Sequence, residues 1–111
     1  SERAKQGLSP LSWDSSLAKS AEIRANELLI NFSHTRPDGS SPFTVIQGSY
    51  GYVGENIAAG QRNNTEVMNS WMASPGHRSN ILSSNFKKVG VALCYDPNSS
   101  YKYYWVQLFS D

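Results

Sequence analysis

The sequence predicts an α+β fold, a three-layer αβα sandwich in which helices cover both faces of a central antiparallel sheet. Leu17, Ala21, Ala25, Leu28 and Phe32 recur at steps of three and four residues, the spacing of one face of a helix. Two later stretches alternate with the period of strands, Lys88 to Tyr95 and Tyr101 to Ser110. In the first, Val89, Val91, Leu93 and Tyr95 oppose Gly90, Ala92 and Cys94; in the second, Tyr103, Trp105 and Phe109 oppose Tyr104, Val106 and Leu108. Strands that are apolar on both faces need cover on both sides, and helices are available to supply it.

The elements follow in order. Arg3 to Gly7 reads as the end of a helix stopped by Gly7, too short to stand alone, so an incomplete N-terminal helix with residues removed upstream of Ser1 is expected. Asp14 caps a helix running to about Ile30, with Trp13 placed to staple its entry onto the core. Asn31 to Ser41 carries Pro37, Asp38-Gly39 and three serines, which is turn chemistry, so His34 falls in a loop. Pro42 opens a short helical stretch closing near Gly48. A glycine- and tyrosine-rich loop then enters a short strand carrying Glu55-Asn56. A helix spans about Thr65 to Ala73, with Glu66 in its first turn where a carboxylate suits the helix dipole. Ser74-Pro75 starts another short helix, His77 to Leu82. Asp96-Pro97-Asn98 turns the final hairpin.

Size and charge narrow the possible roles. A chain of 111 residues buries about two thirds of its unfolded surface, enough for one core, so residues 1–111 read as a single domain. Charged residues make up 17% and the net charge is +1, which argues against a broad basic face for nucleic acid. The longest apolar runs are a few residues, such as Leu28-Leu29-Ile30, far short of a membrane span. Cys94 is the only cysteine, so no internal disulfide forms. Its small-residue face, shared with Gly90 and Ala92, predicts close helix packing, a buried inert thiol and a monomer.

The residues able to carry chemistry are His34, Glu55, Glu66 and His77. They are too dispersed to match a local metal motif such as HExxH. Two imidazoles and two carboxylates form a sufficient ligand set for Zn²⁺, and one glutamate, Glu55 being the candidate, can instead act as general base on a bound water. An ordinary structural reading is open as well: a solvated loop histidine, a helix-start donor, a cap and a turn anchor. No phosphate loop and no nucleophile elbow is present. The tyrosines and Trp105 suit either packing or a sugar- or peptide-binding cleft.

Ser33-His34-Thr35, Gly54-Glu55-Asn56-Ile57, Ser74-Pro75-Gly76-His77-Arg78-Ser79-Asn80-Ile81-Leu82, Val89-Gly90-Val91-Ala92 and Tyr104-Trp105-Val106-Gln107 resemble the serial motifs of the CAP superfamily. That superfamily comprises cysteine-rich secretory proteins, antigen five and pathogenesis-related proteins. Leu11-Ser12-Trp13-Asp14-Ser15-Ser16-Leu17 is similar to the start of its bacterial branch. The resemblance implies an αβα sandwich that is secreted or displayed at the cell surface, with His34, Glu55, Glu66 and His77 lining one cleft. It also implies weak binding of a divalent metal, often Zn²⁺, through His34 and His77. The expected partner is an extracellular ligand: a lipid, a peptide or a cell-wall fragment. A metal-dependent hydrolase or peptidase and a structural module of a larger surface protein are the alternatives. The lone cysteine departs from the disulfide-bonded eukaryotic branch.

Overall fold

The computed structural model describes residues 2–46, 48 and 50–111, which leaves Ser1, Gln47 and Ser49 outside it. Four helices and four strands follow one another as α1 (Glu2–Lys5), β1 (Ser12–Trp13), α2 (Ser15–Ile30), β2 (Val53–Ala59), α3 (Asn64–Ala73), α4 (Pro75–Ile81), β3 (Lys88–Tyr95) and β4 (Tyr103–Ser110), with a 3₁₀ turn over Pro42–Val45. The sheet order is β1-β3-β4-β2. β4 pairs antiparallel with both β3 and β2, whereas β1 adds only two residues, parallel to the start of β3.

Alternation along β4 separates two cores. Tyr104, Val106 and Leu108 pack with Ile57 and Ala92 against Leu17, Ala21, Ala25 and Leu28 of α2. Trp105 and Phe109 pack with Ala58 against Val67 and Trp71 of α3, Ile81 of α4 and Phe86. The expected three layers are therefore present, α2 on one face and α3 with α4 on the other. Gly90 sets the distance on the α2 side: a Cβ there would overlap the backbone of Leu17 and Ala18, so α2 lies directly on β3.

The Asp14 carboxylate caps α2 by accepting from the Leu17 N–H at 2.9 Å, as the sequence predicts. Other details differ. Trp13 does not staple the helix, because its backbone is drawn into β1 and its ring is 62% exposed. Phe32 lies beyond the end of α2 and is likewise exposed. α3 starts one residue early because Asn63 caps it through the Glu66 N–H. α4 begins at Pro75, and its Ser74 cap makes no side-chain bond. The helical stretch from Pro42 ends at Val45; Gln47 lies outside the described residues, and Gly48 takes φ 99°, beyond the reach of most side chains. Cys94 is half-buried rather than buried, its Sγ donating to Asn26 Oδ1 at 3.2 Å. Among the described residues no helix is long and apolar enough to cross a membrane.

Candidate functional site: a histidine pair on a buried arginine–glutamate anchor

The site is built on a charge within the apolar stripe of α2. Arg24 falls one turn from Ala21 and Leu28 and is fully buried. Burial alone would make it easier to deprotonate, but the Glu55 and Glu27 carboxylates reverse this and hold it more firmly cationic than usual. Its guanidinium donates from Nε to Glu55 Oε2 at 2.7 Å and from one terminal nitrogen to Glu55 Oε1 at 3.2 Å. The same nitrogen donates to the Ser33 carbonyl at 2.7 Å, and the other terminal nitrogen to Glu27 at 3.0 Å. Glu55 reaches Arg24 because alternation along β2 turns it toward α2, together with Ile57.

The loop after α2 presents His34. One end is held by the Arg24 bond to the Ser33 carbonyl, the other by Arg36, whose guanidinium grips Glu27 through contacts of 2.7–3.1 Å. Burial would raise the Glu27 pKa, but Arg36 and then Arg24 overcome that and bring it below the ordinary glutamate value. Between these ties His34 Nδ1 lies 2.9 Å from Glu55 Oε1, while the ring remains largely exposed. A carboxylate at that distance calls for a proton on Nδ1, so in the neutral ring Nε2 carries the lone pair.

His77 comes from the other helical layer, in the first turn of α4. Asn56, fully buried, is turned to this side of the sheet and donates to the His77 carbonyl at 3.1 Å and to Gln107 Oε1 at 3.0 Å. Asn80 closes the network by donating to Asn56 Oδ1 at 2.9 Å. α4 is thereby fixed to β2, and with it His77. Burial, and then the charge of His34, lower the His77 pKa, which favours a neutral imidazole. Its Nδ1 is buried and has no hydrogen-bond partner among the described residues. His77 lines a cleft of about 310 Å³ between the end of β2, α3 and the aromatic residues Phe32 and Tyr101.

The structure thus places His34 directly on Glu55 and sets His77 within electrostatic reach of His34. Glu66 is engaged locally, its carboxylate accepting from the Arg62 N–H at 3.0 Å and lying 3.7 Å from Arg62 Nε. Among the described residues no group of three or more His, Cys, Asp or Glu side chains is arranged to hold a metal. The nitrogen donors present for such an ion are the imidazoles of His34, oriented by Glu55, and of His77. Arg24 is not among the residues singled out from the sequence, whereas Asn56, Asn80 and Gln107 stand inside the quoted motifs with no role of their own. The signal for Arg24 was available, a charged residue in register with an apolar helical stripe.

Helices over both faces of a mainly antiparallel sheet, with a histidine held on a buried glutamate, define the class as a three-layer α+β domain. The chain belongs to the cysteine-rich secretory protein family (CAP), whose family model matches residues 1–109. It is 45% identical to the uncharacterized protein YkwD of Bacillus subtilis over 81% of this chain and 37% of that protein. Among solved structures, an outer surface protein from Borrelia burgdorferi superposes with a TM-score of 0.87 at 27% identity, covering 99% of this chain and 84% of that one. An extracellular protein containing an SCP domain from Bacillus anthracis gives 0.82 at 28% identity, over 98% of this chain and 36% of that one. The chain spans about a third of the length of the curated relatives it matches, 37% and 28%.

Proposed function

We propose that this domain works outside the cell as a recognition module whose cleft captures a small ligand, either a lipid, a peptide or a cell-wall fragment. The observation that carries this reading is the saturation of Glu55. Both of its oxygens are engaged by Arg24, one of them also by His34, and the carboxylate is about 1% exposed. A carboxylate so enclosed orients an imidazole; a general base needs an oxygen within reach of a substrate proton or a water. His34 is then held with Nε2 turned away from Glu55, and His77, its imidazole favoured in the neutral form by burial, lines the cleft.

The same two rings form a weak site for a divalent cation such as Zn²⁺, which when bound would supply Lewis acidity and a positive charge for an anionic group. His34 and His77 would hold it, and Glu55 would keep His34 aligned. The extracellular setting is supported by the relatives, one an outer surface protein and another described as extracellular.

The deciding experiment incubates the domain, with and without Zn²⁺, with peptide and cell-wall fragment libraries and follows them by mass spectrometry. Retention of unaltered ligand supports recognition. Cleavage that disappears in Glu55→Gln overturns it in favour of the hydrolase.

A further inference from the structure

The second half of β3 lacks both a neighbouring strand on one edge and a full helical cover on one face. The layer of α3 and α4 reaches Val89 and Val91, which are half-buried, but farther along Leu93 and Tyr95 are 45% and 55% exposed. The edge is open over the same stretch, because β1 pairs with Lys88 and Val89 and then turns away into α2. Two hydrogen bonds fix which way the β3 backbone points. The Asp96 N–H donates to the Lys102 carbonyl at 2.8 Å, toward β4, and the Val89 carbonyl accepts from the Asp14 N–H at 2.9 Å, on the other side. Backbone groups alternate along a strand, so Val91, Leu93 and Tyr95 turn their N–H and C=O away from β4. Among the described residues none of these six groups has a partner.

A row of donors and acceptors repeating at about 6.8 Å matches one kind of partner, the backbone of another extended chain. The usual guards of an exposed edge are missing, since Val89 to Tyr95 contains no charged residue and no proline. The two faces beside the edge differ, and this specifies the side chains of the incoming strand. On the α3 face, Trp13, Met68, Val91, Leu93 and Trp105 line an apolar cavity of about 460 Å³. On the α2 face, Glu22, Asn26 and Cys94 line a cavity of about 320 Å³, to which Glu22 brings a negative charge. Leu93 borders both. Successive residues of an added strand face the two sides in turn, so apolar residues alternating with lysine or arginine satisfy both. A second copy of β3 does not, because on the α2 side it carries Gly90, Ala92 and Cys94 and offers Glu22 no cation.

We propose that the open edge of β3 binds an extended peptide by strand addition, in line with β1, and selects a segment in which apolar and basic residues alternate. The site lies across β4 from β2 and Glu55, so it is separate from the histidine cleft and stands or falls independently of the reading given for that cleft.

The test titrates three capped hexapeptides into the ¹⁵N-labelled domain and follows amide shifts and hydrogen exchange: alternating Val-Lys, alternating Val-Asp, and the Val-Lys peptide with every amide nitrogen methylated. The Val-Lys peptide is expected to shift the Val91, Leu93 and Tyr95 amides and slow their exchange, while those of His34 and Glu55 stay unmoved. Methylation removes the peptide's donors to the edge and should weaken binding about tenfold or more. Glu22→Lys, on an exposed position of α2, should weaken the Val-Lys peptide about fivefold and favour the Val-Asp peptide. No response of the β3 edge to any peptide, equal binding of the methylated peptide, or a preference unmoved by Glu22→Lys overturns the proposal. Edge amides already protected in a concentration-dependent dimer overturn it as well, since a second copy then holds the site.

Discussion

Arg24→Met is the most informative perturbation of this domain, because it removes the charge from a fully buried side chain while keeping much of its volume. Glu55 would then be a buried carboxylate without its cation, and breaking such a pair from one side costs about 3–5 kcal/mol. Glu27 would keep its contacts to Arg36, so the damage centres on Glu55 and on the Ser33 carbonyl, which loses its donor. With an unfolding entropy of ~2.1 cal/mol/K for each of 111 residues, or ~0.23 kcal/mol/K, this lowers Tm by about 13–21 °C. Typical domain stabilities of about 5–15 kcal/mol leave the variant folded in the cold. The double variant Arg24→Met/Glu55→Gln should melt above the sum of its single-variant losses, with a coupling energy of about 1.5–3 kcal/mol. The bonds to Glu27 and Ser33 are lost in both the single and the double variant and cancel in the cycle. Thermal and urea melts of the four proteins give the number, and strictly additive losses would refute the claim that Arg24 and Glu55 stabilise each other.

Gly90→Ala should cost more than the ~1–3 kcal/mol of ordinary overpacking, because the obstacle is the backbone of Leu17 and Ala18; urea melts showing a loss below ~1 kcal/mol would mean that α2 can move off β3. Burial lowers the folded-state pKa of His77 below its ordinary value of about 6.5, so on acidification the unfolded chain takes up that proton first. The stability tied to His77 is thus present above pH ~6.5 and lost as pH falls toward the folded value; melts in chelator at pH 7.5 and 5.5 should show a smaller acid loss in His77→Gln. Zn²⁺ at about 100 times its Kd should stabilise the domain by ~2.7 kcal/mol, and His77→Ala should abolish most of this in calorimetry and melts. The Cys94 thiol, its pKa raised by burial and by Asp96, should react with a thiol reagent more slowly at pH 7.5 than a free cysteine does, and labelling at the free rate would contradict the packing described.

The large elements were legible because each had a one-dimensional signature. α2 declares itself through Leu17, Ala21, Ala25 and Leu28, and the two long strands through alternation that both cores then use. β1 had no signature: two residues in parallel pairing carry no period, and their capture by β3 is what leaves Trp13 in solvent. At the site, the contact between His34 and Glu55 spans 21 positions, so the motif resemblance could suggest it but local spacing could not. Arg24 was hidden for the opposite reason. Its neighbours spell a helix whether or not that position is buried, and the partner that makes its burial tolerable lies on another element.

Asn56 and Gln107 are directly opposite each other on β2 and β4, and seven of the eight β4 residues are buried. A strand that is apolar on both sides cannot choose its alignment by hydrophobicity, since sliding by one position exchanges one greasy face for another. The polar residues of the site supply the missing instruction. Shifted by a single step, Glu55 would be driven into the layer of Trp71, Ile81 and Phe86, away from its arginine, and Asn56 would lose Gln107 and face the Leu17 and Leu28 side. Only one alignment satisfies both, so the groups that shape the cleft also act as the key by which the sheet finds its correct pairing.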